Sequence, residues 1–161
     1  MGKFISKKIK MKTVARLAAV QASYMIDYSN LPVDEVISDF IRGEVGRYAI
    51  KEDFEHNIEE LEELSELDTV YFEEIVRGAH QNKESLEKSI NEFLADDFVF
   101  ERFDGTLQAL LLCAVYEIVY NSETDARVLI QEYVDLAYAF FTKKEPKMVN
   151  ALLDKIAKVM R

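Results

Sequence analysis

Six of the first sixteen residues are cations and none is an acid: Lys3, Lys7, Lys8, Lys10, Lys12 and Arg16. The chemistry open to such a run is electrostatic, because long flexible cations hold phosphates. Screening limits the field to about 8–10 Å at cellular ionic strength, so a polyanion responds to local charge and not to the chain total. Residues 143–161 repeat the pattern, with six bases against two acids. Between these ends, residues 52–74 carry eleven acids and, His56 aside, no basic residue. The 161-residue chain is therefore −10 overall yet positive at both ends. The expectation is that head and tail fold together into one cationic face on an anionic body. A solvated tail and an ordinary helix end are the structural alternative.

Groups that move protons or bind metals are sparse. His56 and His80 are the only histidines. Asp53-x-x-His56 imitates half of a di-iron bundle site, but His80 has Arg77 three residues earlier, so no second copy exists. The acidic run lacks the spacing and central glycine of a calcium loop. It reads as a solvated face or as a contact for a basic protein. Cys113 is the one cysteine, which excludes an intrachain disulfide. It sits in an apolar segment, where burial disfavours the thiolate. No Gly-rich phosphate loop and no nucleophile motif is present. The reading is a binding module, not an enzyme, with no cofactor and no metal. No apolar run is long enough to span a membrane. The basic N-terminus lacks the apolar core of a secretory signal, so the expected compartment is the cytoplasm.

The elements that position these residues are helical. Two prolines and five glycines leave little turn chemistry for a many-stranded sheet. Apolar residues recur at three- and four-residue steps over 13–28, 33–41, 68–81, 86–94, 106–120, 126–141 and 149–159. Residues 106–120 are broken only by Gln108 and Glu117 and should form the central, all-round buried helix. Asp68 is an expected N-cap, and Gly78 marks either close packing or a bend. Residues 43–66 and 97–104 read as loops, the latter holding Phe98, Phe100 and Phe103, and 143–146 as a turn. The fold class is all-α, a bundle of about seven helices.

Five stretches carry more than periodicity. Ala19-Val20-Gln21-Ala22-Ser23-Tyr24 after Arg16 resembles the A-V-Q-A-L-Y start of the NusB transcription antitermination family. Ala114-Val115-Tyr116-Glu117-Ile118 resembles that family's A-V-Y-E-L helix. Ile130 to Ala137 and Lys147 to Asp154 resemble its I-N-E-A-x-x-L-A and F-V-N-G-V-L-D signatures. Tyr71-Phe72 with Gly78 is similar to its Y-F-x-x-L-x-x-G helix. The resemblance runs in order from about residue 12 to 158.

It implies two packed helical subdomains, about 13–82 and 83–161, forming one domain over 13–161 behind a basic segment 1–12. It implies binding of boxA RNA together with ribosomal protein NusE, in RNA polymerase antitermination complexes on rRNA operons. Monomers and homodimers both occur in the family. A helical protein–protein adaptor, or a non-catalytic relative of the RNA-binding domain of rRNA cytosine methyltransferases, is the alternative function. The residues carried over to RNA are Lys8, Lys12, Arg16, Gln21 and Tyr24 on the first helix, and Lys143, Lys144, Lys147, Met148 and Asn150 at the last. Gln21 and Tyr24 are expected roughly in line with Lys12 and Arg16. Tyr24 as core, Gln21 as a bridge and Asn150 as a cap are the structural alternatives. The sequence departs from the family at Thr13 and Val14 (two Arg-like positions), at Met148 (Phe), Ala151 (Gly), Gln131 (Asn) and Leu111-Leu112 (Leu-Arg).

Overall fold

The computed structural model describes residues 6–42, 67–142 and 144–161. Within them the backbone forms seven α-helices, one short 3-10 helix and no strand. The helices are α1 (Lys7–Ser29), α2 (Val33–Arg42), α3 (Thr69–Gln81), α4 (Lys83–Phe93), α5 (Gly105–Tyr120), α6 (Ala126–Phe140) and α7 (Lys144–Met160). The 3-10 helix, Phe100–Arg102, lies between α4 and α5. The expected loop 43–66, with His56 and most of the acidic run, lies outside the described residues, as do Lys3 and Lys143. The chain divides into two compact units, Met1–Val76 and Arg77–Arg161, and the division falls inside α3.

In the first unit α1 starts at Lys7, not near residue 13. Ser6 explains the early start: its backbone is extended and its side chain accepts from the Ile9 N–H at 3.2 Å. Lysine is a good helix former, so the basic arm is helical from its second half onward. Asn30 ends α1 in the left-handed conformation, at φ 53°. Residues Val14 to Val20 are all buried, whichever way they point. Ala15, Ala18, Ala19 and Ala22 make that possible, because small side chains let neighbours close on every face. Helix α2 packs on α1 through Val36, Ile37 and Phe40. The Phe40 ring stacks on Phe72 of α3, with centroids 5.6 Å apart. Asp68 caps α3 as expected, accepting from the Tyr71 N–H at 3.1 Å.

The second unit is built around α5. Leu107, Leu110, Leu111, Leu112, Val115 and Ile118 are buried, and α4, α6 and α7 pack against this helix. Each such side chain contributes about 1.5–3 kcal/mol on burial. The Leu111-Leu112 pair is core, so the departure from the family pattern there adds apolar packing and no exposed surface. Cys113 is buried and in no disulfide.

The Ala114–Ile118 motif turns out to do packing work residue by residue. A Cβ on Gly78 would stand 2.1 Å from the Tyr116 ring, so α3 needs glycine there to let that ring lie on its backbone. Helix α3 runs through Gly78 without a break. The Glu117 carboxylate is 1 % exposed and joins two helices. It accepts from the Tyr133 hydroxyl of α6 at 2.5 Å and from the Asn121 amide at 3.1 Å. Helix α7 begins at Lys144, so most of the expected 143–146 turn is already helix. Pro146 fits in its first turn, where a missing N–H leaves no bond unmade.

Candidate nucleic-acid interface

The start of α1 is where the sequence concentrated its cations. Lys7 and Lys8 are exposed, and Lys10 and Lys12 are half-buried. Lys12 Nζ sits 5.1 Å from the centroid of the Tyr71 ring. Arg16, one turn further, is only 3 % exposed. Its guanidinium lies 5.0 Å from the same ring and donates to the Tyr71 hydroxyl at 2.6 Å. Tyr71 thus carries two cations, one on its face and one on its face and hydroxyl. The expected phosphate contact at Arg16 is therefore an interior group in this structure. It shares the Tyr71 ring with Lys12.

The expected alignment of Gln21 and Tyr24 with Lys12 and Arg16 is corrected by helix geometry. Four-residue steps on a helix of 3.6 residues per turn drift by about 40° each. Along the unbroken α1, Tyr24 is about 120° around the axis from Lys12, and Gln21 about 140° from Arg16. Buried residues 14–20 also separate Lys12 from Gln21 and Tyr24 along the helix. Tyr24 stacks on Tyr28 instead, with centroids 4.9 Å apart and planes 14° from parallel. Gln21 and Tyr24 are half-buried and Tyr28 is exposed.

On α7, Lys144, Lys147 and Met148 fall within about 100° of arc, with both lysines exposed and Met148 half-buried. Asn150 is exposed and about 120° from Lys144. Lys144 and Met148 border a pocket of about 460 Å³ within the second unit. Phe98, Phe103, Leu107 and Phe141 form much of its wall, and Arg102 stands at its edge.

The N-terminal turns of α1 and α7 share an electrostatic oddity. The helix dipole favours acids in a first turn and bases in a last turn, by about 0.3–1 kcal/mol each. Helix α2 obeys, with Asp34 and Glu35 at its start and Arg42 at its end. Helix α1 has no acid in its first turn and two lysines there, and α7 opens on Lys144 and Lys147 with Glu145 between them. Lys8, Lys12 and Arg16 also repel one another at four-residue spacing. Such cations weaken the free helix and become favourable beside an anion, which gains both their charge and the dipole.

Sequence reasoning missed Tyr71 as the ring beneath Lys12 and Arg16, although the Tyr71-Phe72 pair stood out as a motif. It also missed Arg102 and Phe141. The signal for the pocket was the Phe98/Phe100/Phe103 cluster in a short loop, because that many aromatics outside a helix need something to cover them. Among the described residues no group of three or more His, Cys, Asp or Glu is placed to hold a metal. Among the same residues no helix is long and apolar enough to cross a membrane.

Residues 13–158 match the NusB family over most of the chain. This chain belongs to the NusB family. A transcription antitermination protein NusB from Rhodospirillum rubrum is 41% identical over 155 residues, covering 92% of this chain and 84% of that protein. One from Caulobacter vibrioides is 35% identical, covering 96% of this chain and 97% of its own length. One from Sinorhizobium medicae is 34% identical, with 96% and 91% covered. The solved structure of T. maritima NusB has the same fold, with a TM-score of 0.69 at 20% identity over 92% of this chain and 91% of that one. The NusB motifs read from the sequence thus fall on α1, α3, α5, α6 and α7 of a NusB fold.

Proposed function

We propose that this NusB-family chain acts as an RNA-binding transcription antitermination factor. It takes boxA RNA together with ribosomal protein NusE, in the cytoplasm, within the RNA polymerase antitermination complex on rRNA operons. The activity is binding and positioning, not catalysis. The observation that carries the reading is the lysine-bearing, anion-favouring starts of α1 and α7 on a chain of net charge −10. Lys8 and Lys12 hold phosphates in the first unit, and Lys143, Lys144 and Lys147 do so in the second. Tyr24 offers a ring to an unstacked base, and Gln21, Met148 and Asn150 border the path. Arg16 serves by holding Tyr71 and, through it, Lys12.

Titration of boxA RNA with and without NusE tests this. Affinity should fall steeply with salt, each neutralised phosphate adding about −0.7 to the log–log slope. NusE should tighten binding. The double substitution Lys8→Glu/Lys12→Glu should abolish RNA binding while NusE binding persists. Equal affinity for a scrambled RNA, or a flat salt response, would overturn the reading and favour the protein–protein adaptor.

A further inference from the structure

We propose that the pocket beside the start of α7 receives one unstacked nucleobase of the bound RNA, and that Phe98, Phe103, Phe141, Arg102 and Asp97 are RNA-contacting residues in addition to Lys144 and Met148. This rests on the RNA-binding reading above and goes beyond it by naming a base site. The pocket has about 460 Å³, within the usual range for small-ligand sites. Three phenyl rings and a thioether supply apolar walls, and charged groups supply the rim.

Side-chain bonds to the backbone pin the loop that carries Phe103 and Arg102. The Gln108 amide donates to the carbonyls of Glu101 and Phe103, at 3.3 and 3.1 Å. The Asn91 side-chain oxygen accepts from the Phe100 N–H at 3.2 Å. Phe100 is buried and meets the Phe103 ring edge-on at 6.4 Å, while Phe98 is tilted against Phe103 at 6.1 Å. A short loop pinned at both ends presents its aromatic rings with little left to order on binding, which favours affinity.

The charges select the occupant. Arg102 and Lys144 bring two cations to the rim, and Asp97, Asp104 and Glu145 bring three acids. Asp104 caps α5 by accepting from the Thr106 N–H at 2.8 Å, and Glu145 accepts from the Thr142 hydroxyl at 3.3 Å. A bare phosphate is disfavoured by three carboxylates. A base fits better: its faces pack on phenyl rings, an exocyclic amine donates to a carboxylate such as Asp97, and the flanking phosphates meet Arg102 and Lys144. The pocket therefore favours an amine-bearing base over uracil. Lys147, exposed on the same side of α7, continues the phosphate track away from the pocket.

The test is an abasic scan of the boxA RNA against the full chain, each nucleotide losing its base in turn. One position should cost the wild type about tenfold in affinity or more, the scale of one aromatic–base stack. Against Phe141→Leu, and separately Phe98→Leu, the same position should cost less than about twofold, since its platform is gone. Thermal melts report that the variants fold, and the scan of the wild type alone does not depend on them. If every abasic position costs the same in wild type and variants, the base site is overturned while RNA binding stands. If Phe141→Leu weakens NusE binding and leaves RNA affinity unchanged, the pocket belongs to a protein side chain and the proposal is overturned. If the wild type shows no salt-dependent RNA binding, the RNA-binding reading itself has failed.

Discussion

Among the described residues, each unit buries one Arg or Glu side chain in the enclosed part of a helix, and each uses a tyrosine hydroxyl to do it. In the first unit Arg16 on α1 donates to Tyr71; in the second Glu117 on α5 accepts from Tyr133. The two solutions differ in what the ring itself supplies. A guanidinium over an aromatic face is attracted by the ring quadrupole even without the hydroxyl. A carboxylate gains nothing from a ring face, so the Tyr133 hydroxyl and the Asn121 amide carry its solvation. The cation is thus held by a ring face and a hydroxyl, and the anion by directional bonds. The cation also lies one turn from Lys12, so its pairing shapes a surface. The anion is sealed between α5 and α6 and shapes only the core.

That contrast is open to direct attack. Tyr133→Phe removes a hydroxyl that donates to a buried carboxylate and should cost about 2 kcal/mol in urea unfolding. Combining it with Glu117→Leu should recover part of the loss, with a coupling of about 1–2 kcal/mol in the double-mutant cycle; simple additivity would mean the pair is not a unit. Tyr71→Leu removes both hydroxyl and ring and should cost about 1.5 kcal/mol, because two cations lose their partner. Tyr71→Phe keeps the ring and should cost less, about 1 kcal/mol. A larger loss for Tyr71→Phe than for Tyr133→Phe would reverse the comparison. The smallest effect is expected for Arg16→Met, which replaces a buried cation by apolar volume and should change stability by under about 1 kcal/mol. Its RNA affinity should fall only severalfold, through the Tyr71–Lys12 contact, whereas Lys8→Glu should weaken binding far more and flatten the salt slope. A loss at Arg16→Met as large as at Lys8→Glu would return Arg16 to the RNA surface.

The same contrast shows where periodicity informs and where it misleads. Helix α5 was legible because Leu107 to Ile118 is apolar on every side, and an all-apolar helix has only the interior to go to. The stretch 14–20 of α1 is enclosed as fully, yet its alanines and Arg16 disguise this, since small residues look neutral in a pattern of large ones. The Asp68 cap was readable because it is local, one side chain on one nearby N–H. The Ser6 cap is equally local but was hidden behind a charge run read as an arm. Gly78 announced a close approach without naming Tyr116, which arrives from 38 residues away.

The residue order by itself determined the class and the kinship. Helical spacing, scarce turn residues and five ordered motifs suffice for an all-α NusB-family chain, because these are properties of neighbours along the backbone. It also located the cations that break the helix-dipole rule. Only the tertiary structure decided which of them remain on the surface. Arg16 and Lys12 have the same charge, sit four residues apart and both meet Tyr71 of another helix, yet Arg16 is buried and Lys12 half-buried, because the enclosed stretch 14–20 of α1 takes in one and stops short of the other. The pocket beside α7 is likewise a product of packing. Its walls come from a loop, from the end of α6 and from the start of α7, and no local pattern brings those together.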